Sequence, residues 1–391
     1  MSGERVLVTD GQLRSGLAVV RSLGKRGAHV IAGESTRFAT AFFSRHADER
    51  VVYPSPESDP DEFVSFLLNF LADNDVDALI PVGHQTTKLV SEHRDRFTEL
   101  TDVPVTDYQR FRRGWDKAET FEAAKEADIP MPRTECPDSI SEARAIADDI
   151  GFPVVVKART SSGSRGLEFV ETREEFDRAY RRVSESYPRP LVQERVPQSG
   201  SMYGAAFVYD EDTELHAQFA CEFLREYPPS GGPSTFHESI GREDLLEYGS
   251  RLLETLEWQG VALVEFKLDP RDGEPKLMEV NPRLWSSLHL AVFSGVDFPW
   301  LVYQHARGED LDTNLDYRAD VQARYILPGD LLRLAAVHDR EAVREFFPIF
   351  DPDVHYEIPH WDDAGPAVGR LLAMARFAAS PSVWRKAILR N

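Results

Sequence analysis

The stretch Val261–Arg283, VALVEFKLDPRDGEPKLMEVNPR, predicts a β-hairpin that carries acidic side chains. Two apolar runs flank Asp269–Gly273, whose proline, aspartates and glycine suit a tight reversal of the chain. Alternate residues of a strand face the same side, so Glu279 and Asn281 share a face. Because the hairpin can bring Glu265 opposite them, we expect three oxygen-bearing side chains to lie together.

The chemistry of these three side chains favours a metal ion. Carboxylate and amide oxygens are hard ligands, which suit Mg²⁺ in a site that leaves room for phosphate oxygens. A solvated strand face is the alternative explanation. However, Glu265 and Glu279 lie within apolar runs, where a buried charge is costly without a cation. The pattern therefore predicts Glu265, Glu279 and Asn281 as metal ligands, with Mn²⁺ as an alternative ion.

A second predicted hairpin lies upstream and ends its first strand on a lysine. Pro153–Lys157 (PVVVK) leads into a loop rich in serine and glycine, and Leu167–Val170 returns as a strand. Lys157 can meet phosphate oxygens as a point charge, and small residues let backbone N–H groups close over phosphates. We therefore predict a phosphate-binding lid at about residues 153–170, although a plain hairpin turn explains the loop alone. Its candidate residues are Ser162, Gly163, Ser164 and Gly166.

Two further segments offer nucleotide contacts. Lys117 begins a charged helix, Asp116–Asp128, where a solvated lysine is the simpler interpretation. Leu191–Val196 (LVQERV) places Glu194 on a strand, where a carboxylate can bind an adenine edge or a ribose hydroxyl while Val196 packs on the ring. An edge-strand glutamate explains Glu194 equally well without the other motifs.

The order of elements predicts three regions. Residues 1–105 alternate strand and helix patterns, which is typical of a doubly wound parallel α/β unit. The turn Asp10–Gly16 reads DGQLRSG and lacks G-x-G-x-x-G, so we do not expect a dinucleotide site. Residues 106–310 hold the hairpins, and residues 311–391 form a C-terminal extension with a basic tail. We expect this tail to dock on the acidic body; a partner subunit and a membrane surface are the alternatives.

Composition excludes several classes of protein. The 391 residues carry a formal charge of −21, which disfavours binding to nucleic acid. Only eight residues are lysine and 37 are arginine, and this acidic, lysine-poor balance suggests a protein of a high-salt cytoplasm. No apolar run approaches the ~20 residues of a membrane span. The N-terminus does not resemble a signal peptide, and two distant cysteines predict neither a disulfide framework nor a thiolate metal site.

Taken in order, these motifs resemble the ATP-grasp superfamily. The resemblance covers about residues 1–310 and rests on DKAETF at Lys117, Lys157 with SSGSRG, QERV, VEFK and MEVNPR. It is strongest toward the carboxylate–amine ligase branch, which includes the large chain of carbamoyl phosphate synthase. The resemblance implies an N-terminal doubly wound parallel α/β domain, followed by a two-lobed ATP-grasp fold with antiparallel sheets.

The resemblance also implies roles for individual residues. Lys117 and Lys157 would contact the phosphates of ATP, and Arg283 would face the transferred phosphate. The metal would be held by the glutamates and asparagine of the first hairpin. The segment Arg225–Glu238 matches no substrate motif, so Arg225 is a candidate catalytic residue on its chemistry. The adenosine contacts would be Gln193, Glu194, Arg195 and Val196. Ser234 and Thr235 are candidate contacts to the substrate or the γ-phosphate, and His237 is a candidate proton acceptor, although a lone histidine is more often structural.

We therefore predict a ligase that uses ATP to activate a carboxylate as an acyl phosphate and joins it to an amine. ADP and phosphate would be the other products. A phosphotransferase with a non-carboxylate acceptor and a nucleotide-binding assembly protein without turnover are the alternatives. The resemblance favours a homodimer and amino-acid substrates, while the sequence does not identify the acid or the amine.

Overall fold

The chain opens with a parallel sheet. A computed structural model describes residues 3–161, 165–229, 231–337, 340–347 and 351–378. Its first four strands are all parallel, in the order β3–β2–β1–β4, with helices between them. This arrangement confirms the predicted doubly wound unit. The elements are β1 (Arg5–Val8), α1 (Arg14–Lys25), β2 (His29–Glu34), β3 (Glu49–Val52), α2 (Pro60–Asp73), β4 (Ala78–Ile80), α3 (His84–Glu92) and α4 (Arg94–Thr98).

A smaller antiparallel sheet follows, in the order β5–β8–β6–β7. Strands β6 and β7 form the predicted hairpin, in which Lys157 pairs with Leu167. Asp116 caps the helix that starts at Lys117 by accepting a hydrogen bond from the Ala118 N–H. The elements are α5 (Tyr108–Trp115), α6 (Lys117–Glu126), β5 (Thr134–Glu135), α7 (Ile140–Ile150), β6 (Val154–Lys157), β7 (Leu167–Val170), α8 (Arg173–Ser186) and β8 (Leu191–Glu194).

The central part of the chain supplies five long antiparallel strands and three helices. The second predicted hairpin is β12–β13, and Glu265 pairs in register with Glu279. A register shift after Glu265 marks a bulge in this hairpin. The elements are β9 (Met202–Tyr209), β10 (Leu215–Glu226), β11 (Ser234–Ser239), α9 (Glu243–Thr255), β12 (Gly260–Leu268), β13 (Pro275–Asn281), α10 (Leu288–Ser294) and α11 (Phe298–Ala306).

The C-terminal region completes the central sheet and returns to the N-terminal unit. Two short strands extend it to seven, in the order β13–β12–β9–β10–β11–β14–β15. Within the described residues, no helix is long and apolar enough to cross a bilayer. Residues 379–391, which hold most of the predicted basic tail, lie outside the described residues. The elements are β14 (Gln322–Arg324), α12 (Leu331–Val337), α13 (Arg340–Phe346), β15 (Val354–Tyr356) and α14 (Gly365–Ala378).

Helix α14 lies against the N-terminal unit at two glycines. A Cβ at Gly365 would lie 1.9 Å from the Phe43 carbonyl oxygen, and one at Gly369 would lie 2.5 Å from the Phe43 ring. Only glycine therefore permits this approach. The Arg370 guanidinium donates to the Gln12 carbonyl oxygen at 2.9 Å. The part of the tail region that the structure describes thus docks on the body of the same chain.

One hydrophobic core joins the parallel sheet to the central sheet. Buried side chains of β1, α1, α10 and α11 belong to a single cluster, together with Val208 and Phe219 from the central sheet. The two sheets are therefore held in a fixed relation by burial of apolar surface. The small antiparallel sheet has a separate core beneath α7 and α8. It consequently forms a lobe of its own beside the central sheet.

A buried ion pair ties the C-terminal region to the N-terminal unit. Asp363 accepts hydrogen bonds from Arg21 Nε at 2.8 Å, from Ser44 Oγ at 2.8 Å and from the Arg45 N–H at 2.9 Å. Arg21 also donates to the carbonyl oxygen of Glu357. Burial disfavours the charge of Asp363, but the hydrogen bonds from Arg21 and its neighbours hold its pKa below the usual value.

We expect Asp363→Ala to lower the free energy of unfolding by about 3–5 kcal/mol, because it leaves the buried Arg21 charge without its partner. The measurement is chemical or thermal denaturation. Asp362→Ala is the matched control, because the neighbouring carboxylate is 44% exposed and its loss should change stability by less than about 1 kcal/mol. Equal effects of the two substitutions would contradict the assigned role of Asp363.

Candidate active site

A cleft of about 310 Å³ opens between the small lobe and the central sheet. Its walls contain predicted residues from both hairpins and from the start of α6. The structure thus brings together side chains that lie up to 166 positions apart in the sequence, from Lys117 to Arg283. The predicted site residues that line it are Lys117, Lys157, Gln193, Glu194, Arg195, Val196, Ser234, Glu265, Glu279, Asn281 and Arg283.

The predicted metal ligands lie on one face of the β12–β13 hairpin. Glu265 faces Glu279 in register, and Asn281 Nδ2 donates to Glu265 Oε1 at 2.9 Å. Arg283 donates to Asn281 Oδ1 at 2.9 Å. Two carboxylates with an adjacent amide form a hard oxygen donor set, which fits Mg²⁺ when the amide turns its oxygen toward Glu265.

The two glutamates differ in electrostatic environment. Burial, reinforced by the charges of Glu279 and Glu226, raises the pKa of Glu265 to about 8. Burial also acts on Glu279, but the positive charges of Lys117 and Lys157 hold its pKa below the usual value. A cation bound between them would relieve the repulsion that keeps Glu265 protonated. This electrostatic arrangement fits a divalent ion.

Lys117 and Lys157, the two lysines predicted to contact phosphate, both lie near the carboxylate of Glu279. Lys117 Nζ lies 3.0 Å from Glu279 Oε2 and 3.2 Å from the Ser161 carbonyl oxygen. Lys157 Nζ donates to Gln193 Oε1 at 3.2 Å and to the Met278 carbonyl oxygen at 3.1 Å. Burial and the neighbouring charge of Lys117 lower the pKa of Lys157 to about 7. An anion such as a phosphate would therefore stabilise the charged form of Lys157.

The predicted adenosine strand lies at the other end of the cleft. Glu194 Oε1 lies 2.7 Å from Arg271, and Glu194 Oε2 accepts from the Arg133 N–H at 3.3 Å. Arg195 forms an ion pair with Glu171 and stacks over Phe169. Val196 is buried beside them. The strand therefore offers backbone groups and an apolar wall, while its charged side chains already have partners.

In the described part of the lid, Gly166 occupies a position whose backbone conformation and close contacts favour glycine. Gly166 has φ +65°, and a Cβ there would lie 2.7 Å from Tyr187 and 2.8 Å from Ala158. The Ala158 N–H donates to the Gly166 carbonyl oxygen at 2.8 Å, which closes the base of the loop. The predicted lid residues Ser162, Gly163 and Ser164 lie outside the described residues.

The structure does not support a catalytic position for Arg225. Its guanidinium lies 3.0 Å from Asp330 and donates to the Glu345 carbonyl oxygen at 3.2 Å, while its plane covers Phe236. The register of β10 with β11 is shifted on either side of Arg225, so simple alternation does not give its direction. Arg225 thus links β10 to the C-terminal region. The structure therefore does not support the prediction that Arg225 contacts the reacting groups.

Sequence reasoning missed two ionisable residues of the cleft. Lys267 is buried and donates to Gln198 Oε1 at 3.2 Å. Burial raises the pKa of Glu226 to about 7, although the charge of Lys267 opposes this shift. Strand alternation could have found Lys267, because it lies two positions after Glu265 on the same strand. Glu226 gave no such signal, because the register shifts of β10 separate it from that pattern.

A third missed residue connects the two phosphate lysines. Arg159 binds Asp116 through two contacts, Nε to Oδ1 at 2.9 Å and Nη2 to Oδ2 at 2.5 Å. Asp116 caps the helix that begins with Lys117, while Arg159 lies two residues after Lys157. The Lys117 N–H also donates to the Arg159 carbonyl oxygen at 3.1 Å. This bidentate pair therefore fixes the distance between the two lysine-bearing segments.

Two family profiles match separate parts of the chain. One, described as carbamoyl-phosphate synthase L chain, ATP binding domain, matches residues 116–195. The other, described as ATP-grasp in the biosynthetic pathway with Ter operon, matches residues 225–327. Between them they span every candidate metal and nucleotide residue predicted from the sequence except Val196.

Characterised proteins show similarity over longer stretches. The chain is 26% identical over 287 residues to a D-aspartate ligase from Enterococcus faecium, covering 67% of each protein. It is 26% identical over 249 residues to the carbamoyl phosphate synthase large chain of Pyrococcus furiosus. That match covers 60% of this chain and 23% of the synthase, so the chain spans less than a quarter of that relative.

Solved structures show the same fold at low sequence identity. A biotin carboxylase–β-γ-ATP complex from Campylobacter jejuni aligns with a TM-score of 0.69 at 16% identity, over 82% of this chain and 74% of that chain. An N5-carboxyaminoimidazole synthetase from Staphylococcus aureus aligns with a TM-score of 0.62 at 14% identity, over 82% and 80%.

The fold and the matched profiles are those of ATP-grasp proteins, as the motifs predicted. The chain is similar to ATP-grasp carboxylate–amine ligases.

The Arg159–Asp116 pair leads to a test of nucleotide binding. Arg159→Gln should weaken ATP binding by about tenfold, because small misplacements of positioning groups carry penalties of this order or larger. Calorimetric titration with ATP measures the change. Arg173→Gln is the control, since this arginine of the same lobe pairs with Asp148 on an exposed surface. An unchanged dissociation constant in Arg159→Gln would refute the positioning role.

The raised pKa of Glu265 predicts a pH dependence of stability in the metal-free protein. The folded state keeps the proton up to about pH 8, whereas the unfolded chain releases it near the ordinary glutamate value. The contribution is therefore present at low pH and lost as pH rises through about 8. Melting curves between about pH 6 and pH 9 should show a fall that Glu265→Gln reduces. If Glu265→Gln shows a fall in stability of the same size, the pH dependence comes from titratable groups other than Glu265.

Proposed function

We propose that the protein is an ADP-forming ligase that activates a carboxylate with ATP and joins it to an amine. The observation that carries this proposal is the convergence of Lys117, Lys157, Arg283 and the paired glutamates in one cleft. Three cations and a metal-binding carboxylate pair suit a polyphosphate rather than a neutral ligand. Adenosine would lie along Gln193–Val196, as the family resemblance implies.

The first step would transfer a phosphoryl group. A substrate carboxylate oxygen attacks the γ-phosphorus of ATP, the bond to the β-phosphate oxygen breaks, and ADP leaves an acyl phosphate behind. Lys117, Lys157 and Arg283 would neutralise charge on the phosphate oxygens, which is chiefly an electrostatic and positioning task. Glu265, Glu279 and Asn281 would hold Mg²⁺, or Mn²⁺, which supplies Lewis-acid charge to the phosphate oxygens.

The second step would form the amide. The amine nitrogen attacks the acyl carbon, the bond to the phosphate oxygen breaks, and inorganic phosphate leaves. Water competes for the same carbon, so the reaction needs a closed cleft. The β6–β7 hairpin, hinged at Lys157 and Gly166, is placed to close over the phosphates and exclude water.

The substrate class is supported by similarity alone. The relative from Enterococcus faecium is a D-aspartate ligase, which makes an amino acid the first candidate for one substrate. A solved neighbour is a biotin carboxylase domain dimer from Hydrogenobacter thermophilus, which makes a homodimer the first candidate assembly here. The acidic, lysine-poor composition supports a cytoplasmic protein of high salt, so potassium chloride should be varied in the assays.

Glu279→Gln should abolish carboxylate-dependent release of ADP, with a loss of at least about 100-fold, because it removes a metal ligand and the partner of Lys117. A coupled ADP assay measures this rate. Glu274→Gln, in the exposed turn of the same hairpin, is the matched control and should retain activity. Unchanged turnover in Glu279→Gln would overturn the metal assignment.

A screen of carboxylates crossed with amines tests the ligase proposal itself. ADP release that requires both substrates, with an amide identified by mass spectrometry, is the expected result. A phosphoester product would instead identify a phosphotransferase. ATP binding without ADP formation under every pairing would favour an assembly protein without turnover.

A further inference from the structure

A buried line of polar side chains runs inward from the wall of the cleft. Ser234 lies in that wall with Pro233 and Ser287, and its Oγ is 3.1 Å from His237 Nδ1. His237 Nε2 lies 2.8 Å from Glu357 Oε1. The other carboxylate oxygen of Glu357 lies 2.7 Å from Arg14. Three separate parts of the chain, α1, β11 and the segment after β15, therefore build this line.

Burial makes this line unusual among the polar groups of the protein. His237 and Glu357 are both 0% exposed, and Arg14 and Ser234 are 6% and 3% exposed. Within the described part of the chain, His237 Nε2 and Glu357 Oε1 have no hydrogen-bond partner, although the two atoms lie 2.8 Å apart. Arg14 also donates to the Ser234 carbonyl oxygen at 2.8 Å, which closes the four residues into a ring. Such groups are costly to bury unless each is paired.

The charge of Glu357 decides which nitrogen of His237 carries a proton. Burial opposes ionisation, but Arg14 and His237 lower the pKa of Glu357 to about 2. An ionised carboxylate accepts a hydrogen bond only, so it selects the tautomer with hydrogen on Nε2. Nδ1 is then left with its lone pair facing the Ser234 hydroxyl. This is the orientation in which a carboxylate and an imidazole make a hydroxyl a proton acceptor.

The proposed ligation needs a proton acceptor that the phosphate site does not offer. An attacking amine nitrogen must lose a proton when it becomes an amide. In the described cleft, Lys117, Lys157 and Arg283 carry positive charge toward phosphate, and Glu265 and Glu279 would hold the metal. Glu226, which pairs with Ser234 in the register of β10 and β11, is a further carboxylate at the Ser234 end of the cleft. The Ser234 end of the cleft lies away from those groups, on β11, and is backed by His237.

We propose that Ser234, His237 and Glu357 form a relay that accepts the proton of the amine substrate. This inference rests on the proposed ligase function and adds a route for the proton. As the nitrogen bonds to the acyl carbon and phosphate departs, its N–H proton passes to Ser234 Oγ. The hydroxyl proton passes in turn to His237 Nδ1. The resulting imidazolium is stabilised by the ionised Glu357.

The charged groups around His237 allow its ring to accept one proton. Arg14 and Glu357 face it as an ion pair, and Arg324, on the neighbouring strand β14, is paired with Asp330. His289 from α10 also faces this region, and burial lowers its pKa to about 3, so it adds no charge near neutral pH. Ser234 Oγ also lies 3.0 Å from the Phe236 carbonyl oxygen and 3.2 Å from that of Arg225, so these two acceptors compete with His237 Nδ1 for the single hydroxyl hydrogen.

The test compares two nucleophiles, an alkylamine and hydroxylamine, in three proteins. These are the wild type and the variants Ser234→Ala and His237→Gln. An ordinary alkylamine is protonated at neutral pH and must lose two protons to become an amide. Hydroxylamine is already neutral and loses one proton, and it reacts with acyl phosphates in free solution without a protein base. Both variants should lose at least about 100-fold in the rate of amide formation, the usual contribution of general base catalysis. Hydroxamate formation should fall less than about threefold, because the acyl phosphate still forms.

Ser239→Ala is the matched control for Ser234→Ala. This serine is also buried on β11, but its hydroxyl donates to the Arg318 carbonyl oxygen and faces no cleft. Its amide and hydroxamate rates should both match the wild type. The dependence of kcat on pH adds a readout that a structural role would not change: the acidic limb expected for the wild type should shift in Ser234→Ala.

Three outcomes separate the possibilities. Parallel losses with both nucleophiles would assign Ser234 and His237 a structural role and refute the relay. Wild-type rates of amide formation in both variants would refute it as well. If the wild type forms neither amide nor hydroxamate with any carboxylate of the screen, the ligase proposal fails and the relay fails with it. Should His237→Gln not fold, Ser234→Ala decides alone.

Discussion

Two glutamates face each other across the register of β12 and β13, and the rest of the site is arranged around their repulsion. Because the hairpin buries them at one level, both cannot carry a charge without a nearby cation. The protein supplies Lys117 at 3.0 Å from Glu279, with Lys157 and Arg283 close by. The same cations are those that a polyphosphate requires, so a single electrostatic constraint serves both the empty and the nucleotide-bound cleft.

Holding these charges in place requires elements from three parts of the fold. Asp116 links the helix of Lys117 to the segment that follows Lys157, through the fork of Arg159. The central sheet fixes the two glutamates relative to Ser234, which lies three strands from β12 and four from β13 in the sheet order. The C-terminal region closes the assembly by placing Glu357 against Arg14 and His237. The phosphate site and the proposed proton relay therefore share one scaffold, while the β6–β7 lobe has its own core and is tied to α6 through Arg159 and Asp116.

Prediction from sequence succeeded where the signal was local. The hairpin of Glu265 and Glu279 was readable because strand alternation and turn composition act over a few residues, and the strand that ends at Lys157 was readable for the same reason. Arg225 was misjudged because a bulged register changes the direction of a side chain without any local sign. Arg159 and Glu357 were missed because each acquires its importance from a partner 43 or more positions away in the chain.

Periodicity and residue type were enough to predict the class of fold, the hairpin of the candidate metal ligands and the order of the nucleotide motifs. The three-dimensional arrangement was needed to show which charges neutralise each other, for which lysine burial lowers the pKa and which histidine lies behind the cleft wall. The physical reason is that pKa values and hydrogen-bond partners depend on desolvation and on distances across the fold. For Glu265, Glu279 and Asn281, residue type and spacing predicted three candidate oxygen ligands, and the structure added the register and the surrounding cations that bring them together.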